Sequence, residues 1–116
     1  MAVAGALACL FIFAAPSVGD TVAVKATDGL VFKPAVKKIH KGDKVVWKNV
    51  SGLAHTITAY KGGTKWSFDK ALGPGEKVTR KFTEKGTYTF RCTVRGHSFV
   101  SGGDCGGMCG KIKVVR

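Results

Sequence analysis

The sequence predicts an all-β sandwich on three observations. Beyond the first nineteen residues, no stretch carries an amphipathic period of helix length. Short runs rich in Val, Ile, Thr and aromatic residues recur instead, separated by Gly, Pro and Asp turns. Within those runs apolar side chains fall at every second position, the period of a strand with one face in a core.

The expected strands are TVAVKA (Thr21 to Ala26), AVKKIH (Ala35 to His40) and DKVVWKN (Asp43 to Asn49), then HTITAY (His55 to Tyr60) and EKVTRKF (Glu76 to Phe82). GTYTFRC (Gly86 to Cys92) and GKIKVV (Gly110 to Val115) complete the set. Alternation puts Val45 and Trp47 on one inward face, Tyr88, Phe90 and Cys92 on another, and Ile112 and Val114 on a third. The segment KGGTKWSFDKALGPG, Lys61 to Gly75, has no clear period and is expected to hold a short helical turn near Phe68.

The chain opens with MAVAGALACLFIFAAPSVGD, which has no charge before Asp20. Such a run is a secretory signal or a membrane span. Small residues at Ser17 and Gly19 favour cleavage before Asp20, although no basic residue precedes the run; an uncleaved anchor is the alternative. Either way, residues 20–116 are expected in the periplasm or outside the cell, as one small monomeric domain with a single core.

All nineteen Lys and Arg lie in that part, as do all seven Asp and Glu, so it keeps the formal charge of +12. That balance suits acidic proteins, anionic lipid heads or polyanions, and it speeds encounter with them. The lysines are scattered along strand-like segments, and no aromatic-basic motif of the nucleic-acid modules is present, which argues against nucleic acid.

The chemistry concentrates in CTVRGHSFVSGGDCGGMCG, Cys92 to Gly110, a stretch that a sandwich places as a loop at one pole. Thiolate, imidazole and thioether groups converging there suit copper, because a weak axial Met favours the reduced ion. Cys92, His97 and Met108 supply these groups. A second imidazole must come from His40 or His55. His40 sits in IHKGDK and reads as an exposed turn histidine. His55 opens an apolar-alternating strand and is either a capped strand end or the missing ligand.

With His55, the residues Cys92, His97 and Met108 resemble the ligand set of a type 1 blue-copper protein, a cupredoxin. VFKPAVKKIHKGDKVVWKN is similar to that family's Phe-x-Pro segment, Gly-Asp turn and Trp-x-Asn strand, and GLAHTITA to the part carrying its first histidine. GPGEKVTRKFTEKGTYTFRC resembles the hairpin that delivers the ligand cysteine. The Cys92-x4-His97 spacing matches azurin-like members, with Arg95 where they have proline, rather than the Cys-x2-His of plastocyanin-like ones. His97 to Met108 is long, and it resembles a bacterial subgroup ending in Cys-x2-Met-Cys-Gly, here Cys105 to Gly110.

The resemblance implies a Greek-key β-sandwich of seven or eight strands binding one copper ion and passing single electrons between redox partners. It implies that His97 is the ligand through which electrons leave, that Arg95 beside it faces an acidic partner, and that Thr56 hydrogen-bonds near the cysteine sulfur. Peripheral membrane association is a further expectation from the charge. In an exported protein Cys105 and Cys109 are expected to be oxidised together, a ring worth about 2 kcal/mol that encloses Met108.

Other readings compete. Cys92, His97, Cys105 and Cys109 form a four-ligand zinc set by residue type, but it leaves His55 and Met108 unexplained. Cys105-x3-Cys109 also occurs in dinuclear copper centres, whose motif continues to a His and a Met that GKIKVVR lacks. A copper chaperone or storage protein needs exposed, exchangeable ligands. A multicopper enzyme needs more histidines than the single one left over, and no G-x-S-x-G nucleophile motif is present. The expectation is a carrier, not an enzyme.

Overall fold

A computed structural model describes residues 19–116; the leader expected over residues 1–19 lies outside the described residues apart from Gly19. Eleven strands follow one another: β1 Thr21–Ala26, β2 Phe32–Lys33, β3 Val36–His40, β4 Lys44–Asn49, β5 His55–Ala59 and β6 Asp69–Leu72. β7 Lys77–Lys81, β8 Gly86–Arg91, β9 Ser98–Ser101, β10 Asp104–Gly107 and β11 Cys109–Val115 complete them. One sheet runs β2-β1-β4-β7 and the other β3-β11-β8-β5-β6, with β9 and β10 forming a separate hairpin. β1 pairs with β4, and β3 with β11, in parallel; the other ladders are antiparallel.

The alternation read from the sequence sets the core. Val24, Val45 and Trp47 from one sheet meet Ile39, Ile57, Phe90 and Ile112 from the other, each at most 1% exposed. Phe90 packs edge-on against both Trp47 and Phe32, at centroid distances of 5.4 and 4.9 Å. Tyr88, Cys92 and Val114 point inward as expected.

Two expectations are corrected. Strands β2, β6, β9 and β10 join the seven read from the sequence, and the helical turn near Phe68 is absent: Lys65 to Phe68 carries no helix and leads into β6. Trp66 and Phe68, two residues apart, turn to the same side, as the alternation of a strand would place them. Their rings stack at 5.6 Å, Phe68 lies 5.5 Å from Trp47, and the Trp66 indole N–H donates to the Thr89 carbonyl. The Arg80 guanidinium lies over both rings at 5.3 and 5.5 Å, a cation–π cover for this side of the core. A helical turn would separate the two rings by about 200° and lose that stack.

The pole away from the cysteine-rich loop is tied by Asp43. Its buried carboxylate accepts the Asp20 N–H at 2.9 Å and the His40 N–H at 2.8 Å. The His40 N–H, opposed by burial and helped by Asp20, holds the carboxyl below its ordinary range. A folded pKa lowered in this way adds stability that is fully present above the unfolded value, about 3.9, and is lost as pH falls through the folded value. Asp43→Asn is therefore expected to cost about 1–2 kcal/mol at pH 7, and the gap to wild type should close below about pH 4. Urea midpoints at several pH values check this; a gap that persists undiminished at low pH would refute the charge-based account. The His40 side chain is 68% exposed and lies 4.0 Å from Asp43, the turn position expected of it.

Candidate metal centre

Three of the four expected donors meet at the opposite pole. His55 is the first residue of β5, Cys92 follows the last residue of β8, and His97 lies in the turn after it. The sheets deliver the first two, since β5 and β8 are neighbours in one sheet. The Cys92 Sγ lies 3.7 Å from His55 Nδ1 and 3.3 Å from His97 Nδ1, and one donor atom from each residue falls within 4.8 Å of the others. His55 and Cys92 are fully buried, whereas His97 is half-buried.

Burial, and then the neighbouring His97 ring, push His55 below the ordinary imidazole range, against the Thr27 carbonyl and Asp28. The ring is thus neutral near pH 7 and offers a lone pair. Its Nε2 is buried without a hydrogen-bond partner. The Thr56 N–H donates to Cys92 Sγ at 3.3 Å and so fixes one side of the sulfur. Thr56 does sit beside the sulfur, through its backbone; its hydroxyl bonds instead with Thr58 and Thr93.

Met108 is fully buried, and its backbone closes the loop. Its N–H donates to the His97 carbonyl at 2.8 Å, and its carbonyl accepts the Cys92 N–H at 3.0 Å. Gly107, at φ +86°, makes this approach possible, because a Cβ there would lie 2.5 Å from the His97 carbonyl oxygen. Between His97 and Met108 the chain runs out and back as the β9–β10 hairpin, turning at Gly102 and Gly103. Gly-Gly between two short runs is a hairpin signal that reading the whole stretch as a loop passes over.

Sequence reasoning also missed Asn49 and Ser51. Asn49 is fully buried, and its amide donates to the carbonyls of Leu53 and Leu72 at 2.7 and 2.9 Å. Its oxygen accepts the N–H and the hydroxyl of Ser51 at 2.9 and 2.7 Å. Every hydrogen-bonding position of the amide is filled, and the loop leading into His55 is held to the neighbouring β6.

Cys105 and Cys109 are joined as a disulfide, as expected, and this removes two donors from the zinc set. Among the described residues, His55, Cys92 and His97 are the one group of three or more His, Cys or acidic side chains placed to hold a metal. A buried thiol with two imidazole nitrogens and no carboxylate fits copper by donor softness. The sequence model for copper binding proteins of the plastocyanin/azurin family matches residues 19–115. The chain belongs to this family.

It is a cupredoxin with a His-Cys-His site suited to one type 1 copper ion. The plastocyanin of Lactuca sativa is 33% identical over 96 residues, 74% of this chain and 89% of that protein. In fold it resembles a purple cupredoxin from Nitrosopumilus maritimus, with a TM-score of 0.65 at 19% identity, over 81% of this chain and 99% of that one. A copper-containing nitrite reductase from Thermus scotoductus matches at a TM-score of 0.65 and 22% identity, over 83% of this chain but 22% of its own. That last likeness is one of fold, to one part of a much larger chain.

Proposed function

We propose that the protein carries single electrons between redox partners, and that His55 Nδ1, Cys92 Sγ and His97 Nδ1 would hold one copper ion, with the buried Met108 thioether as a weaker fourth donor. The observation that carries this reading is the convergence of two imidazole nitrogens and one sulfur in a buried space without a carboxylate. Bound copper supplies a one-electron couple between its cupric and cuprous states.

The chain's part is to keep the donors still. His55 and Cys92 are anchored on adjacent strands of one sheet, and the loop bonds of Met108 fix the third side. Little nuclear motion then accompanies each exchange, which is what a carrier needs. His97 is the one half-exposed donor, so its ring edge is the exit for electrons, and exposed Arg95 beside it suits an acidic partner. The leader, residues 1–19, takes the domain of residues 20–116 out of the cytoplasm, into the periplasm or beyond, where it acts as a monomer. Catalysis has no support in the donor inventory, because His40 is spent on the far turn.

Loading with Cu(II) tests the reading. One equivalent should give an intense blue to green colour that a reductant bleaches and an oxidant restores, with the copper retained after passage over a desalting column. A colourless protein overturns it, and rapid copper loss to an acceptor protein would instead indicate a chaperone.

Met108→Gln tests the fourth donor apart from the other three. A harder oxygen donor stabilises the cupric state, so the reduction potential should fall, by roughly 100 mV, with copper still bound. Voltammetry reads this directly. An unchanged potential and spectrum would remove Met108 from the ligand set.

A further inference from the structure

The outer face of the β2-β1-β4-β7 sheet carries lysines in register. Lys33 pairs with Lys25, Lys25 with Lys48, and Lys48 with Lys77, so four lysines stand side by side across all four strands. Neighbouring strands are about 4.8 Å apart, which makes the row about 14 Å long. A second row, about 13 Å further along the strands, holds Lys44 beside Lys81. All six are exposed, and Ala23, Val46 and Thr79 fill the ground between the rows. No outward position of these strands holds Asp or Glu, and among the described residues the one ion pair is His40 with Asp43.

Like charges directly opposite one another weaken a sheet, so the row costs stability unless an anionic surface covers it. We propose that this face is an electrostatic docking surface for an anionic lipid membrane. Three features favour lipid over an acidic protein. The face is built of lysines with neither arginine nor aromatic residues, whereas protein interfaces are depleted in lysine and enriched in arginine and aromatics. Lysine acts as a mobile point charge suited to a diffuse layer of headgroups, and each one near such a surface adds to binding. The apolar run before Asp20 also leads the chain to a membrane, so a lipid surface is what the folded domain meets first.

The orientation has a use. The row of four lies one residue before the ends of β1 and β4, at the end of the sandwich that carries the metal centre. Strands lying flat on a membrane point the His97 pole along its plane, open to a partner seated in the same bilayer. Binding itself does not rest on the copper reading, since no donor residue lies on this face.

The test uses the full chain and sedimentation with phosphatidylcholine vesicles, either alone or with about one third phosphatidylglycerol. Comparing the two vesicles isolates the charge-driven part from any binding by the apolar leader. Wild type should prefer the anionic vesicles, and about 0.5 M salt should abolish the preference. Replacing Lys25, Lys33, Lys48 and Lys77 by Gln should reduce that preference about a hundredfold or more. A control with Lys38, Lys61, Lys111 and Lys113 replaced by Gln removes the same number of exposed charges elsewhere and should lose less than about fivefold. Equal losses in the two variants, or no anionic preference in wild type, would overturn the proposal. Binding to polyglutamate that needs the same row, without binding to vesicles, would give the face to an acidic protein and overturn the lipid assignment.

Discussion

Cys92→Ser should give a folded protein that stays colourless with Cu(II) and binds it at least about a thousandfold more weakly. The intense colour of a copper–thiolate site comes from charge transfer out of sulfur, and a hydroxyl supplies neither the orbital nor the affinity. Serine is nearly the same size, so the end of β8 and the buried space around it need not rearrange. The Thr56 N–H keeps an acceptor, and the apoproteins should differ in stability by no more than about 1 kcal/mol. A visible titration with Cu(II), set beside urea unfolding of both apoproteins, reads the two quantities separately. A serine variant that still turns intensely blue or green would show that Cys92 is not the coordinating sulfur.

Asn49→Ala should have the largest effect on stability, about 3 kcal/mol, although the residue touches none of the donors. Truncation leaves the Leu53 and Leu72 carbonyls and the Ser51 N–H and hydroxyl without the partners that Asn49 gave them. Each such group that stays dry costs about 1–3 kcal/mol, and partial wetting at the edge of the loop keeps the sum below four times that. For a domain of this size the loss is a large fraction of the total. His55 lies two residues beyond Leu53, so the same change should also weaken copper binding. Asn49→Asp, which sets a carboxylate oxygen against the Leu53 and Leu72 carbonyls in a buried site, should cost at least as much. A loss under about 1 kcal/mol with unchanged copper affinity would mean that the loop is held by other contacts.

The sandwich was legible because its strands obey a simple rule. In DKVVWKN and GKIKVV the alternation names the inward residues directly, and Val45, Trp47, Ile112 and Val114 are all buried where it places them. His55 and Cys92 were legible as a pair because each stands at the end of such a strand. β6 was not, since three of its four residues are exposed and its single buried Leu72 makes no period. The β9–β10 pair escaped for a related reason: it is rich in Gly and Ser, and pairing there comes from backbone rather than from side chains with strand preference. Asn49 was read only as part of a strand, because one of its partners, Leu72, lies 23 residues away, where sequence carries no local trace.

The long spacing between His97 and Met108 has a simple resolution. The Met108 N–H already rests on the His97 carbonyl, and Ser98 pairs with Gly107 directly above that bond. The two residues are therefore spatial neighbours, and everything between them is a detour pinched shut at its neck. A detour of this kind can grow or shrink by matched pairs of residues while the neck, and with it the spacing of the donors, stays put. The outer limb, with Phe99 67% exposed on one leg and Cys105 strapped to Cys109 on the other, is free to change at a different pace from the metal centre below it. The reach of this loop is thereby uncoupled from the placing of its donors.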